Sequence, residues 1–324
     1  MNDKTPQRNR TIVITGASSG AGRATALEFA KSGARLVLAA RNEEALQELA
    51  TECESLGAKA LVSITDTGVA SDVYRLAETA VAFGGGVDIW VNNAGVLAAG
   101  AFEKIPMDVN EAVIRTNLLG YIHGAHAVLP YFKDQGFGMI INNISVGGLF
   151  PTPYMSAYCA SKFGLRGFFD ALRGELVPFR NIHVCDLYPA FLDTPGIQHA
   201  ANYTGKVLKP APPLSDPREI ARAIVALSDY PKAKSAVGVF PHFLKASYTL
   251  FPALSRTVTG AVMRTYLKAA DEAEGGSGNV LDTVRYGNSI DGGWRPVVPN
   301  VIPRKGAMLL AGLALAGIAL LRGK

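Results

Sequence analysis

Tyr158 and Lys162 are the pair of residues in this sequence best suited to acid–base chemistry. They begin and end the run Tyr-Cys-Ala-Ser-Lys, in a segment with a helical pattern. A separation of four residues places both side chains on one face of a helix, within reach of each other. A phenol with a pKa of about 10 is a weak acid–base catalyst at neutral pH, and a neighbouring cation favours its ionised form. The pair therefore predicts proton transfer by Tyr158, with Lys162 lowering the pKa of the phenol.

A glycine-rich turn is a candidate dinucleotide-binding site. The run TGASSGAG, from Thr15 to Gly22, stands between the apolar strand TIVIT and a helical pattern. Glycine permits a tight turn and lets the backbone and the helix approach a pyrophosphate, whose charge is favoured by a helix N-terminus. Strand, turn and helix follow in the order that such a site requires. The expected cofactor contacts in this turn are Gly16, Ser18, Ser19, Gly20 and Gly22.

The end of the second predicted strand indicates which nicotinamide cofactor is bound. About 20 residues beyond the glycine turn, an NAD site usually carries an acid that accepts a hydrogen bond from the ribose 2′-hydroxyl. This chain has Ala39-Ala40-Arg41 at that place. A guanidinium group can pair with a 2′-phosphate through its planar set of donors. We therefore expect NADP(H) to be preferred over NAD(H); a solvated Arg41 at the end of the strand is the alternative.

Alternating strands and helices position these residues. Short β-branched runs alternate with helical patterns from residue 11 onward, which predicts right-handed crossovers and a parallel sheet. The expected fold is a Rossmann-type, doubly wound α/β sheet of about seven strands, in a single domain with a helical C-terminal extension. The predicted helices are Gly20–Ser32, Glu43–Leu56, Val69–Phe83, residues 107 to about 133, Ser156–Pro178 and Asp216–Asp229, and the last predicted strand is SAVGVF.

The chain divides into four predicted parts. An N-terminal arm (residues 1–10) precedes the dinucleotide-binding catalytic domain (residues 11–240). A helical and irregular extension (residues 241–303) and an apolar C-terminal tail (residues 304–324) follow. Within the catalytic domain, residues 190–215 are rich in Pro, Gly and aromatic residues, a composition that suits a lid over the sheet edge.

Three further features accompany the Tyr–Lys pair. Ser145 ends the strand MIINNIS 13 residues earlier, the run Asn-Asn-Ala-Gly at residues 92–95 ends another strand, and Asn117 lies in the long predicted helix. In this combination, over roughly residues 10–240, the sequence resembles the short-chain dehydrogenase/reductase family. The resemblance implies that Tyr158 is the acid/base and that Lys162 binds the ribose and lowers the pKa of the phenol. It implies that Ser145 orients the substrate oxygen and that Asn117 holds a water molecule linking Lys162 to solvent.

The same resemblance implies further cofactor contacts. Asp66 aligns with a carboxylate that meets the adenine amino group, and the turn Asn92, Ala94 and Gly95 matches the one beside the adenosine ribose. Thr194 matches a contact to the nicotinamide carboxamide. The chain departs from the family where Pro189 is followed by Ala190 and not by glycine, which bears on the backbone shape near the nicotinamide.

Charge and cysteine content exclude several other functions. The formal charge is +5, but four basic residues lie in the last 21 positions, which leaves +1 for residues 1–303. A near-neutral charge over residues 1–303 argues against a nucleic-acid surface.

The cysteines and histidines do not form a recognisable disulfide or metal pattern. Cys53, Cys159 and Cys185 are an odd number without CxxC spacing, so we expect neither disulfides nor a zinc site. No metal is predicted, because His123 and His126 are spaced for ligation but have no third ligand nearby. Cys159 is not expected to be a nucleophile, because it has no paired histidine.

The apolar tail is a candidate membrane contact. Residues 306–321 carry no charge and are flanked by Arg304, Lys305, Arg322 and Lys324. As a helix this segment measures about 24 Å, which is short of the ~30 Å hydrocarbon core of a bilayer. It can insert as a short anchor or dock in a groove of a partner subunit, and we favour membrane contact. Because the N-terminus has no apolar signal region, we expect a cytoplasmic catalytic domain, held at the cytoplasmic face of a membrane through the tail.

The sequence as a whole predicts an NADP(H)-dependent oxidoreductase that moves a hydride between nicotinamide and a small-molecule carbonyl or alcohol. A lipophilic substrate is expected from the apolar composition, and we expect a homo-oligomer. The aromatic residues Phe150, Tyr154, Phe191 and Tyr203 either line the pocket or belong to the core. Two other functions stay open: a catalytically silent NADP-binding regulatory protein, and a non-redox epimerase or dehydratase of the same fold.

Overall fold

The computed structural model describes residues 9–295. Seven parallel strands form one sheet in the order β3-β2-β1-β4-β6-β7-β9, and the short strands β5 and β8 pair separately. The strands are β1 (Thr11–Thr15), β2 (Arg35–Ala40), β3 (Lys59–Ile64), β4 (Ile89–Asn92), β5 (Ala98–Ala99), β6 (Gly138–Asn143), β7 (Ile182–Tyr188), β8 (Ala201–Asn202) and β9 (Lys234–Ala236). The predicted seven-stranded Rossmann-type sheet with a helical C-terminal part is confirmed.

Helices cover both faces of the sheet. They are α1 (Gly20–Ala30), α2 (Glu43–Ser55), α3 (Ala70–Gly84), α4 (Met107–Ile114), α5 (Gly120–Gln135), α6 (Ser156–Glu175), α7 (Pro217–Asp229), α8 (Phe240–Leu250) and α9 (Pro252–Ala269). Ile12 and Ile14 of β1 join a core with α1, α2 and α7, whereas Val13 joins a second core with α3, α5 and α6. Successive side chains of a strand point to opposite faces, so each strand contributes to both cores.

The long predicted helix after residue 107 contains an irregular turn. Five residues with π-helical hydrogen bonding, Arg115–Leu119, join α4 to α5. Such a turn inserts one residue into a helix and is frequent at functional sites. Asn117 lies in the middle of it, so the irregularity falls on one of the predicted site residues.

Several predicted elements extend beyond the observed ones, and two of these differences lie near the site. Helix α6 ends at Glu175, three residues before the predicted end at Pro178. The predicted strand SAVGVF is only partly a strand, because β9 ends at Ala236 and Phe240 already begins α8. Gly238, with a φ of 78°, turns the chain between them.

The carboxyl ends of the parallel strands place the predicted site residues along one edge. The glycine turn follows β1, Asn93 follows β4, Ser145 follows β6, and Pro189 follows β7. The strand order reverses between β1 and β4, and crevices at such a switch point are the usual ligand sites of open α/β sheets.

After the sheet the chain forms a helical hairpin, α8 and α9, and then returns across the molecule. Residues 275–295, called here the C-terminal segment, are irregular but have many partners in the catalytic domain. Within residues 9–295, no helix is both long and apolar enough to cross a membrane. The predicted tail at residues 304–324 lies outside the described part of the chain, as do residues 1–8 of the predicted N-terminal arm.

Candidate active site

The turn between β1 and α1 has the shape that its glycines predict. Gly16 has a φ of 64°, and a Cβ added there would lie 2.6 Å from the Ala94 Cα. A Cβ on Gly22 would lie 2.1 Å from the Gly16 carbonyl oxygen. Side chains at these two positions would therefore collide with backbone. Helix α1 begins at Gly20, and no side chain caps its N-terminus.

Asn93 and Thr15 hold this turn against the end of β4. The Asn93 side-chain amide donates to the carbonyl oxygens of Thr15 and Gly16, at 3.1 and 3.0 Å. In return, the Thr15 hydroxyl accepts from the backbone N–H groups of Asn93 and Ala94. These bonds fix the position of Ala94 and Gly95 relative to the glycine turn.

Ser145 has a strained backbone. Its φ of 106° and ψ of 155° fall in a region that is occupied almost entirely by glycine. Its hydroxyl accepts from the Gly147 N–H at 3.1 Å, and it also forms a hydrogen bond with the Tyr158 side chain. Strain of this kind persists where the surrounding structure imposes it, and it concentrates at functional sites.

Glycine beside Ser145 lets α6 approach. A Cβ on Gly147 would lie 2.7 Å from the Tyr158 ring, and one on Gly148 would lie 2.7 Å from the Lys162 carbonyl oxygen. Larger residues at these positions would push α6 away. The two glycines therefore set the closeness of Ser145 and Tyr158.

Lys162 is buried beneath the site. It is 4% exposed, and its ammonium nitrogen lies 4.8 Å from the Tyr121 ring centroid and 5.8 Å from that of Tyr158. Burial lowers the pKa of Lys162 from 10.5 to about 7. The structure thus brings Ser145, Tyr158 and Lys162 together, as the sequence predicts.

The pKa of Tyr158 differs from the sequence expectation. Burial raises it from 10.0 to about 12, and the hydrogen bond with Ser145 only partly opposes this. Desolvation raises the pKa of Tyr158 by more than the neighbouring groups of the protein lower it. Tyr158 is therefore a phenol at neutral pH, ready to donate a proton.

Asn117 braces the loop after β4. Its side chain is fully buried, donates to the Val96 carbonyl oxygen and accepts from the Val96 N–H, each at 2.8 Å. Both polar groups of the side chain are thereby engaged.

The remaining predicted cofactor contacts line the same edge in different ways. Asp66 follows β3, and one of its carboxylate oxygens accepts from the Gly68 N–H at 2.8 Å. The Asn92 side chain is buried between Trp90 and Asn142, so only its main chain can meet a ligand. Thr194 lies against Gly20, with its side chain 3.3 Å from where a Cβ on that glycine would be.

Pro189 directly follows β7 at this edge of the sheet. Its carbonyl oxygen accepts from the Val146 N–H at 2.8 Å, which ties the end of β7 to the residue after Ser145. Ala190, where the family usually has glycine, does not have a positive φ. Alanine therefore fits this backbone without strain.

The C-terminal segment contacts the predicted cofactor residues directly, although the sequence predicts only a helical and irregular extension for residues 241–303. The Gly20 N–H donates to the Ser289 carbonyl oxygen at 3.0 Å. The Arg41 guanidinium donates to the Asn279 carbonyl oxygen, and the Trp294 indole donates to that of Thr194 at 3.3 Å. This segment is thus a wall of the candidate site.

An ion-pair cluster fastens the C-terminal segment. The Arg295 guanidinium pairs with Asp193, Asp216 and Asp291, and Arg218 pairs with Asp291 at 2.8 Å. Asp193 also accepts from the N–H groups of Gly292 and Trp294. The chain beside Thr194 is therefore joined to the end of the described chain.

Other residues singled out in the sequence have structural partners. Cys159 is buried, and burial raises the pKa of its thiol. His123 contacts the Thr67 carbonyl oxygen and His126 the Tyr74 hydroxyl, so the two rings have separate partners. All three cysteines are free and buried.

The predicted aromatic residues lie in three places. Phe150 packs edge-on against Tyr248, Phe191 contacts Phe240, and Tyr203 packs with the cluster beside Tyr158. Tyr154 has a φ of 68° and its carbonyl oxygen accepts from Gly100. Two of the four therefore join the edge of the sheet to α8.

The residues of this edge fit a nicotinamide dinucleotide. Any side chain at Gly16 or Gly22 would collide with backbone, so only glycine allows this tight turn into the N-terminus of α1, where a pyrophosphate is favoured. Arg41 provides a cation beyond β2. Ser145 follows the neighbouring strand β6, and Tyr158 and Lys162 face it from α6. Together these residues define a nicotinamide-dependent oxidoreductase.

Comparison with known proteins identifies the family. The family model for short chain dehydrogenases matches residues 10–203. The chain belongs to the short-chain dehydrogenase/reductase family and is an oxidoreductase of that family.

Relatives and a solved structure agree with this assignment. The chain is 35% identical over 261 residues to the uncharacterized oxidoreductase YxnA of Bacillus subtilis, covering 79% of this chain and 73% of that protein. It is 34% identical over 212 residues to human estradiol 17-beta-dehydrogenase 11, covering 63% of this chain and 71% of the relative. An alcohol dehydrogenase from the archaeon Thermococcus sibiricus, complexed with 5-hydroxy-NADP, has a TM-score of 0.61 at 26% identity, covering 70% of this chain and 95% of that one.

Proposed function

We propose that this protein is an NADP(H)-dependent carbonyl reductase or alcohol dehydrogenase in which Tyr158 is the acid/base. The observation that carries the proposal is the meeting of Ser145, Tyr158 and Lys162 beside the glycine turn. NADP(H), when bound, supplies or accepts the hydride. The glycine turn and the N-terminus of α1 would hold its pyrophosphate.

Tyr158 and Ser145 act on the substrate oxygen. In reduction, the Tyr158 phenol gives its proton to the carbonyl oxygen as the carbon gains a hydride, and the product is an alcohol. The Ser145 hydroxyl donates a hydrogen bond to the same oxygen, which stabilises the charge that develops on it. A pKa of about 12 keeps the phenol protonated at neutral pH, as the reduction step requires.

Lys162 and Asn117 support proton supply. Lys162 stands behind the Tyr158 ring, and its lowered pKa of about 7 lets it exchange a proton near neutral pH. Asn117 fixes the loop through Val96, close to the Lys162 ammonium group. The Asn117 main chain would hold the water molecule that connects Lys162 to solvent.

Arg41 favours NADP(H) over NAD(H). It stands where an NAD site carries an acid, and its planar donors suit a 2′-phosphate. The archaeal alcohol dehydrogenase of similar fold was solved with an NADP derivative. The variant Arg41→Ala is expected to weaken NADPH binding about 10- to 100-fold, the loss of one charge-assisted hydrogen-bond partner, while NADH binding changes little. Equal losses for both cofactors would contradict this role.

The substrate is proposed to be lipophilic. Aromatic rings from the sheet edge and from α8 meet at the outer side of the site, with Phe191 against Phe240 and Phe150 against Tyr248. Human estradiol 17-beta-dehydrogenase 11 is named for a steroid. A panel of alkyl and steroid ketones and alcohols, followed by the absorbance of reduced nicotinamide, tests this class against small polar carbonyls.

The variant Tyr158→Phe tests the whole mechanism. It is expected to lose turnover by at least about 100-fold, the usual contribution of a general acid, while NADPH affinity measured by fluorescence titration stays unchanged. Near-normal turnover would refute the assignment. A protein that binds NADPH but consumes none across the panel would be a regulatory binder, and product without net NADPH consumption would indicate an epimerase or dehydratase.

Localisation and assembly complete the proposal. We propose that the catalytic domain is cytoplasmic and is held at a membrane face through residues 306–321, which fractionation of cells expressing a form without residues 304–324 would test. Unchanged solubility of both forms would contradict the anchor. We also propose a homo-oligomer, which light scattering of the purified protein would test.

A further inference from the structure

Helix α8 is apolar on both its inner and its outer side. On the inner side, Tyr248 packs against Phe150 and Phe163, with ring centroids 6.0 and 6.4 Å apart. On the outer side, Val239 is 83%, Phe243 56% and Leu250 68% exposed. Soluble helices usually turn charged or polar residues outward, so the outer side lacks its expected composition.

The outer apolar residues form one stripe. Val239, Phe243, Ala246 and Leu250 are spaced by four, three and four residues, which places them within an arc of about 60° on a helix. Ala246 is exposed as well, and Phe251, 56% exposed, directly follows Leu250 at the end of α8. We call Val239, Phe243, Ala246 and Leu250 the α8 outer face. A continuous exposed apolar surface of this kind marks an interaction site.

The hairpin that carries the α8 outer face is basic, which favours an anionic partner. Between Asp229 and Asp271 the sequence has no acidic residue. The two helices of the hairpin carry Lys245, Arg256, Arg264 and Lys268, and all four are exposed. A helical hairpin that combines an exposed apolar stripe with cations and no acidic residue has the composition of a surface that lies in the interface of an anionic membrane.

Two other occupants fit this charge poorly. In a two-fold dimer the same surface meets itself, so the basic hairpin would face a basic hairpin. The apolar tail of the same chain is flanked by Arg304, Lys305, Arg322 and Lys324, which would bring like charges together as well. An anionic lipid surface has the complementary charge.

We propose that the α8 outer face docks the catalytic domain on an anionic lipid surface, lying in the interface without crossing it. Helix α8 has 11 residues, about 16 Å, which is far too short to span a bilayer. Its inner side contacts Phe150 and Phe191 through Tyr248 and Phe240. Docking therefore brings the aromatic side of the candidate site to the lipid surface, where a lipophilic substrate is concentrated. This last consequence rests on the proposed function; the docking itself does not.

Vesicle flotation of the full-length protein tests the docking. To remove the contribution of the tail, the measurements use the background Leu309→Ser, Leu313→Ser, Leu320→Ser. Phosphatidylcholine vesicles with phosphatidylserine are expected to bind this protein more strongly than phosphatidylcholine alone, and high salt should weaken the binding. Adding Phe243→Ser and Leu250→Ser is expected to lower the partition coefficient by about tenfold or more.

A matched pair of exposed apolar residues provides the control. Phe137 is 46% and Val177 73% exposed, and both lie outside the hairpin. The variant Phe137→Ser, Val177→Ser is expected to bind vesicles like its parent. Because all four positions are exposed, both double variants should keep the melting temperature of the parent.

An introduced cysteine reports on the surface directly. The three native cysteines are buried, so Phe243→Cys can be labelled selectively with an environment-sensitive fluorophore. We expect solvent-exposed emission in buffer and a blue shift on adding anionic vesicles. A blue-shifted probe without vesicles would show that the tail or another copy covers this face, and would overturn the proposal.

The other outcomes are equally decisive. Equal partition of the Phe243→Ser, Leu250→Ser variant and its control, or no binding to anionic vesicles, would refute the docking. A change in oligomeric state without a change in flotation would assign the face to a dimer and would also refute it. NADPH titration and turnover of a water-soluble carbonyl, measured on the same preparations, report separately on the proposed redox function.

Discussion

Replacing Lys162 by methionine is expected to remove a contribution to protein stability that grows between about pH 7 and about pH 9. Lys162 is 4% exposed, and burial lowers its pKa from 10.5 to about 7. In the unfolded chain the lysine keeps its ordinary pKa, so across this interval the unfolded state binds more protons than the folded state. The contribution of Lys162 to the free energy of unfolding therefore increases with pH, whereas the three buried thiols, whose pKa values are raised, contribute with the opposite sign in both proteins that are compared.

The size of the effect follows from the two pKa values. One unit of pKa difference corresponds to about 1.4 kcal/mol, and the change accumulates over the interval in which only the unfolded state is protonated. Between about pH 7 and about pH 9 the Lys162 contribution to the free energy of unfolding should rise by about 2 kcal/mol, or about 3 °C in melting temperature for a chain of this size.

Thermal unfolding of the full-length protein, followed by circular dichroism without added nucleotide over a series of pH values, measures this slope. Lys162→Met keeps the length of the side chain but cannot titrate, so its stability should lack the Lys162 contribution. Lys104→Met is the control, because Lys104 is exposed and its replacement should leave the slope of the wild type intact. Parallel curves for the wild type and Lys162→Met would refute the reasoning.

Two further predictions concern the backbone of the site. Ser145→Gly relieves the strained φ of 106° and should be about 1 kcal/mol more stable than Ser145→Ala. Both variants are expected to lose activity. Equal stability of the two variants in chemical denaturation would show that the backbone at residue 145 is not strained. Gly22→Ala places a Cβ 2.1 Å from the Gly16 carbonyl oxygen and is expected to abolish NADPH binding in fluorescence titration. Gly167→Ala, in α6, meets nothing within 4 Å and should bind NADPH normally, so a loss of binding in both variants would count against the proposed role of the turn.

Local sequence patterns predicted the sheet and the central residues of the site because both depend on short stretches of chain. Strand and helix periodicity extends over about ten residues, and the glycine turn needs only the eight residues from Thr15 to Gly22. Tyr158 and Lys162 are four residues apart on one helix, so their proximity needs no knowledge of the rest of the fold. The ends of elements were less predictable, as Gly238 shows by ending β9 before the apolar run is complete.

Features that depend on distant contacts could not be read from the sequence. The φ of Ser145 is imposed by the chain around it, and the role of Gly147 appears only when α6 is in place. Two adjacent glycines, separated from the candidate catalytic serine only by Val146, were a usable signal for that close approach. The pKa of Tyr158 depends on its burial, which outweighs the neighbouring lysine that the sequence emphasised.

The C-terminal segment also makes the order of chain synthesis matter for the site. Arg41 reaches Asn279 across 238 residues, and Asn42 reaches the Val284 carbonyl oxygen across 242. The first strand, the glycine turn and the second strand are translated early, but their outer wall is among the last described parts of the chain to leave the ribosome. A nascent chain therefore presents an open nucleotide edge until residues 279–289 arrive. Since loop-closure entropy grows only slowly with length, this late closure costs little more than a shorter one would.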